Sequence, residues 1–215
     1  MAAREFRLMM NFYMTPGSCS TGIHILLEEL ELVFSAQVVN LLAGDTQKPA
    51  FLAINPKATI PVLVRDDGTA LTDFIAIAWW LAATYPQAKL LPEGLDKQAE
   101  VLNVMNDIVS GIHMQGFTRI FTPERYMARE GDKSWVEAQG RSCVDKGLAL
   151  IERRLQAKPG YLFGRFGIAD AALFYVEFWA SRINLALPAA CAEHLRLMQS
   201  RPVVKRVLAE EGYRI

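Results

Sequence analysis

Apolar residues recur along this chain in two ways, and the helical spacing takes over completely near residue 86. Residues 6–13 are rich in aromatic and long apolar side chains, which suits a strand. Thr15-Pro16-Gly17-Ser18 then breaks the run, and Ile23, Leu26, Leu27 and Leu30 follow at helical spacing. Residues 32–41 read as a second strand and 41–50 as a polar connection holding Gly44 and Pro49. Ile60-Pro61-Val62-Leu63-Val64 is a short β-branched run, Asp66-Asp67-Gly68 marks a hairpin turn, and Ala70-Leu71-Thr72 is the return. Ile75, Ala78, Trp79 and Ala82 outline a helix that must end before Pro86. The predicted order is β-α-β followed by β-β-α.

That order is the one of a thioredoxin-like α/β unit, predicted here over residues 1–86. Residues 86–94, with Pro92 and Gly94, read as a linker. Beyond it no strand pattern stands out. Residues 97–115 carry Val101, Val104, Met105, Ile108, Val109 and Ile112 on one face, and 134–156 carry Val136, Val144, Leu148, Ile151 and Leu155. Residues 168–183 are apolar almost all round, which predicts a helix at the centre of a second, all-α unit over 95–215. Smaller helices are expected at 189–199 and 203–210.

Composition narrows the class. At 215 residues with 52% hydrophobic and 21% charged positions, the chain can bury one large core or two modest ones. Lys+Arg and Asp+Glu balance at 23 each, and no like-charge run forms a nucleic-acid arm. Residues 1–13 carry Arg4 and Arg7 without the long apolar stretch of a signal peptide. The apolar run at 74–84 is too short for a membrane span. Cys19, Cys143 and Cys191 are an odd number at wide spacing, so neither a zinc knuckle nor a disulfide framework is expected. A cytoplasmic protein, free of metal, nucleic acid and membrane, is the expectation.

One cysteine is placed for chemistry. Cys19 falls where the first strand turns into the first helix, where unpaired N–H groups and the positive helix end favour a thiolate, its own or a ligand's. Spacing alone also allows an inert core cysteine. Gly22 stands three positions on, so a dithiol pair is excluded. On the residues alone, Thr72-Asp73 is equally a plain helix N-cap. Asn106 and His113, two helical turns apart on one face, read on the residues alone as polar positions on the solvated side, and Phe117, Phe121 and Trp179 as core.

Several strings resemble the beta-class bacterial glutathione transferases. They are Phe12-Tyr13-Met14-Thr15-Pro16-Gly17-Ser18-Cys19-Ser20, Phe51-Leu52-Ala53-Ile54-Asn55-Pro56-Lys57 leading into Ile60-Pro61-Val62-Leu63, and Asp67-Gly68-Thr69-Ala70-Leu71-Thr72-Asp73. Asn106 and His113, and Gly167-Ile168-Ala169-Asp170, belong to the same resemblance, which runs in order through nearly the whole chain. It implies a detoxifying, homodimeric, cytosolic glutathione S-transferase. Such an enzyme transfers the glutathione thiolate to a small apolar electrophile, with glutathione as cosubstrate and no cofactor.

The resemblance also implies roles for residues. Cys19 and His113 carry the chemistry, with Ser20 as a third participant. A cis Ile60-Pro61 peptide turns the Ile60 backbone toward the cysteinyl part of glutathione. Asp73 and the helix start at Phe74 take the γ-glutamyl end. Asn106 and His113 line the cleft, and Phe117, Phe121 and Trp179 wall the electrophile site. Relatives have Glu and a small residue where this chain has Asp73 and Phe74, and their loop lysine has no clear match, Lys48 being only nearby. Asp170 resembles an N-capping residue with Gly167 in place of the usual Ser or Thr, hence a folding residue. Two other functions are open: glutathione-dependent thiol-disulfide exchange through Cys19, and non-catalytic binding of apolar ligands.

Overall fold

The computed structural model describes residues 9–214. The first strand, β1 (Met10–Met14), is followed by α1 (Ser20–Glu29), β2 (Phe34–Val38), α2 (Pro49–Leu52), β3 (Val62–Val64), β4 (Ala70–Thr72) and α3 (Phe74–Thr84). Residues 6–8 of the strand expected at 6–13 lie outside the described residues. The sheet runs β2-β1-β3-β4. β1 pairs parallel with β2, Phe12 opposite Ala36, and antiparallel with β3, Phe12 opposite Leu63; β3 and β4 close the hairpin. This is the thioredoxin-like mixed sheet. The connection expected to be plain polar chain after β2 instead holds a 3₁₀ turn, Asp45–Gln47, and α2, which begins at Pro49 and buries Phe51. Proline at a first helical position explains why a residue taken as a breaker opens a helix here.

The rest of the chain is helical: α4 (Leu95–Asn106), a π stretch at Asp107–Phe117, α5 (Thr118–Phe121), α6 (Lys133–Ala157), α7 (Ile168–Arg182), α8 (Ala189–Ser200) and α9 (Pro202–Glu210). α7 is buried along Ile168–Ala180 without a break, Asp170 and Glu177 included, as its nearly all-round apolarity predicts. Asp170 ties its start down: the two carboxylate oxygens accept the N–H groups of Leu162, at 2.8 Å, and Gly167, at 2.9 Å. One apolar core runs from β1 and α1 through α3 into α7 and α9, so sheet and helices share an interior. Gly22 makes the closest approach possible. A Cβ there would sit 2.6 Å from the Ala171 carbonyl oxygen and 2.7 Å from the Phe74 ring. No helix of the described residues is long and apolar enough to cross a membrane.

Candidate active site

The turn between β1 and α1 carries Cys19 at the cap position of α1. Its Sγ lies 3.7 Å from the carbonyl oxygen of Ile60, and the Ile60-Pro61 peptide is cis. Burial pushes the Cys19 thiol up to about 12; the N–H groups of Cys19 and Ser20 pull the other way, and Asp73 adds to the rise. The helix end expected to favour a thiolate is present, but desolvation outweighs it. At neutral pH, therefore, Cys19 is a thiol and its S–H points at Ile60.

The turn is held from the helical side. Trp179 Nε1 donates to the Gly17 carbonyl at 2.7 Å, and the Gly17 N–H donates to Glu211 Oε2 at 2.7 Å. Thr21 Oγ1 donates to the same carboxylate oxygen, also at 2.7 Å. Gly17 has φ +71°, and a Cβ on it would overlap the Tyr213 hydroxyl at 1.9 Å. Only glycine fits this position. Ser20 is fully buried, its Oγ accepting the Thr15 N–H at 3.1 Å and contacting the Ser18 hydroxyl. Its hydroxyl is thus occupied in shaping the turn.

Asp73 caps α3 with φ +73°, a left-handed conformation unusual for a residue with a side chain. Its carboxylate pairs with Lys57 Nζ, and Thr59 Oγ1 lies 3.5 Å away. Lys57 was part of the resembling string but had no assigned role; a positive residue folded back onto the acidic cap leaves no spacing signature. Phe74 does not obstruct this corner. Its side chain is buried against the Tyr175 ring, centroids 5.2 Å apart, and against Gly22, leaving only its backbone at the helix start. The apolar character of Phe74 drives it into the interior shared with α7.

On the helical side of this turn the rings meet. His113 stands edge-on to Trp179 at 4.8 Å and to Tyr175 at 5.6 Å. Phe117 stacks on Phe121 at 5.5 Å, and Trp179 meets both edge-on at 5.3 and 5.4 Å. His113 Nδ1 lies 3.2 Å from the Tyr175 hydroxyl. Burial among these rings pushes His113 down to about 4, so the imidazole is neutral in the physiological range. Burial, and secondarily a charged Cys19, raises Tyr175 well above its ordinary value, so its hydroxyl remains a donor. Nothing in the sequence distinguishes Tyr175 from the other buried rings of α7.

Asn106 is not in this group. It is exposed and accepts a hydrogen bond from Ser110 at 2.9 Å. The reason is the π stretch that begins at Asp107. Its i→i+5 bonding takes more residues per turn than an α-helix, so a seven-residue spacing no longer returns to the same face.

Comparison with known proteins agrees with this layout. The glutathione S-transferase N-terminal domain model matches residues 17–84 and the C-terminal domain model residues 133–210. The chain is 34% identical over 210 residues to glutathione S-transferase GstA of Escherichia coli, covering 94% of this chain and 99% of that one. It is 30% identical over 220 residues to glutathione S-transferase 2 of Saccharomyces cerevisiae, covering 95% and 91%. A glutathione transferase homologue from Sulfitobacter, solved with bound glutathione, superimposes with a TM-score of 0.85 at 26% identity over 94% of this chain and 98% of that one. The beta-class enzyme of Sphingomonas chungbukensis gives 0.78 at 26% identity with the same coverage. The chain belongs to the glutathione S-transferase family and is a transferase enzyme of that family.

Proposed function

We propose that the chain is a beta-class, cytoplasmic, homodimeric enzyme that conjugates glutathione to small apolar electrophiles without a cofactor. Residues 1–86 hold glutathione and 95–215 line the electrophile side. The observation that carries this is the juxtaposition of Cys19 and Ile60 O, at 3.7 Å, with the ring cluster of His113, Phe117, Phe121 and Trp179.

In this reading the Ile60 backbone pairs with the cysteinyl part of glutathione, and its γ-glutamyl carboxylate takes the free N–H groups at the start of α3. Asp73 takes the ammonium, and Lys57 balances the charge around it. The glutathione sulfur lies by the Cys19 end of α1, where backbone N–H groups stabilise a thiolate. His113, neutral, and Tyr175 supply hydrogen bonds beside it, while the rings hold the electrophile in line and exclude water. Cys19 lines the site as a thiol. Trp79, 42% exposed on α3, and Trp135, 65% exposed on α6, supply apolar surface for a second copy.

Thiol-disulfide exchange through Cys19 is the poorer reading, because exchange needs a thiolate and this one is protonated. Non-catalytic binding leaves the α3 cap without a use. Calorimetry with glutathione and turnover of an activated aryl halide by wild type and Cys19→Ser test the proposal. Conjugation that survives in Cys19→Ser supports it. Loss of all turnover in that variant, or no glutathione heat at millimolar concentration, overturns it.

A further inference from the structure

One histidine at the seam between sheet and helices takes no part in this chemistry. His24, on α1, is buried with its ring between Phe12 and Phe34, centroids 6.1 and 5.7 Å away. Its Nδ1 lies 2.9 Å from Glu211 Oε1. Because the other oxygen of that buried carboxylate already accepts the Gly17 N–H and the Thr21 hydroxyl, Nδ1 is the donor here. The tautomer follows: in the neutral ring, Nε2 carries a lone pair.

That lone pair faces another acceptor. Nε2 lies 3.4 Å from Glu210 Oε2 and, among the described residues, makes no hydrogen bond. Glu28, one turn along α1, brings a second carboxylate, and ligand atoms of His24, Glu28 and Glu210 all lie within 4.8 Å of one another. Two lone-pair atoms held this close repel unless a positive charge, a proton or a metal ion, lies between them. The edge of a tetrahedron with metal–ligand bonds of 2.0–2.1 Å is about 3.3–3.4 Å, which is the separation found. An imidazole whose far nitrogen donates to a carboxylate is, moreover, the arrangement that orients metal-bound histidines.

We propose that His24 Nε2, Glu28 and Glu210 form a site for a divalent transition ion of the zinc type, joining α1 to α9. An imidazole with two carboxylates and room for water suits Zn²⁺ or Co²⁺ better than Mg²⁺ or Ca²⁺, which prefer oxygen alone. Arg206 Nη2 bonds Glu28 Oε2 at 2.7 Å and is the competitor. Its side chain is 50% exposed, so it can swing into water when the ion enters. Filling the site would fasten α9, and with it Glu211, against the turn that carries Cys19.

The test uses the whole chain, freed of metal, with Zn²⁺ followed by calorimetry and melting and Co²⁺ followed by absorption. One ion per chain is expected, with a higher melting temperature in Zn²⁺, since binding to the folded state alone stabilises it. The Co²⁺ spectrum should show tetrahedral bands without thiolate charge transfer, because no cysteine is among the ligands. Glu28→Gln and Glu210→Gln should each weaken the site by at least about tenfold. Arg206→Ala should tighten it several-fold, a gain that misfolding cannot produce. No stoichiometric binding at micromolar Zn²⁺, undiminished binding in Glu210→Gln, or a thiolate band would overturn the proposal and leave a proton on Nε2 as the occupant of the gap.

Discussion

The two walls of the proposed site are built in opposite ways. On the sheet side the surface that the proposed function gives to glutathione is mostly backbone: N–H groups at the start of α1, the Ile60 carbonyl, and the first turn of α3 beyond Asp73 at φ +73°. On the helical side it is side chain, five rings from the π stretch, α5 and α7, Phe117 stacked on Phe121 and the other contacts edge to face. The polar wall is therefore sensitive to anything that shifts the chain, even where no contacting side chain changes. The aromatic wall is sensitive to ring deletion and tolerates changes behind it.

The largest effect that separates the walls concerns Cys19, whose side chain contributes least to the wall on which it sits. Lifted from 9.0 to about 12, it holds roughly a thousandfold less thiolate at neutral pH than an ordinary cysteine. A small alkylating agent should label half-buried Cys143 first and Cys19 and Cys191 far more slowly, with Cys19 labelling accelerating as the pH rises toward 12. The same shift bears on stability. The unfolded chain releases this proton near pH 9 and the folded chain near 12, so the contribution is intact below pH 9 and lost across that interval. Mass mapping of time-resolved labelling checks the order, and prompt modification of Cys19 at pH 7 would contradict it.

How much of this was legible beforehand follows the same division. Strands, turns and the Cys19 position are local, and alternation, Gly17 and the Asp66-Asp67-Gly68 turn announce them; α3, α4, α6, α7, α8 and α9 show in apolar spacing, whereas α5 and the π stretch do not. The aromatic residues Phe117, Phe121 and Trp179 were named from the resemblance, but their meeting depends on how the π stretch and α7 cross. The π stretch also places Asn106 apart from the rings, exposed and bonded to Ser110, and a rewound helix leaves no mark in a seven-residue spacing. Glu211 and Tyr213 support the turn from nearly two hundred residues away, a separation no periodicity reports. Phe74 is bulky where relatives have a small residue, which reads as an obstruction, whereas its direction is set by Tyr175 and Gly22.

A second, smaller effect should come from Gly22, which touches no ligand. Its φ is not positive, so alanine is intrinsically better in this helix by about 0.5–1 kcal/mol. Against that, the new Cβ meets a backbone oxygen of α7 at 2.6 Å, and backbone cannot rotate aside. Overpacking of this kind costs about 1–3 kcal/mol, so Gly22→Ala should lower the melting temperature and raise KM for glutathione as α1 is pushed from α7. Gly111→Ala, which has open space around its Cβ, is the control and should stabilise. Denaturant melts of the two variants with shifts of the same sign would show that the close approach does not limit the polar wall.

The smallest effect belongs to the outermost ring. Phe121 is 45% exposed, so truncating it opens no core cavity, and what is lost is chiefly its stacking on Phe117 and its edge contact with Trp179. Such ring pairs are worth about 0.5–1.5 kcal/mol, which predicts that Phe121→Ala lowers kcat/KM for an aromatic electrophile by roughly two- to tenfold. KM for glutathione should stay where it is, because no atom of Phe121 supports the turn at Cys19 or the cap at Asp73. Trp179 lies between the two walls, edge-on to Phe121 and with Nε1 on the Gly17 carbonyl, so Trp179→Phe should disturb both constants while Phe121→Ala disturbs one. Initial-rate kinetics with each substrate varied in turn decide it. A rise in KM for glutathione in Phe121→Ala equal to that for the electrophile would mean that the two walls are one mechanical unit.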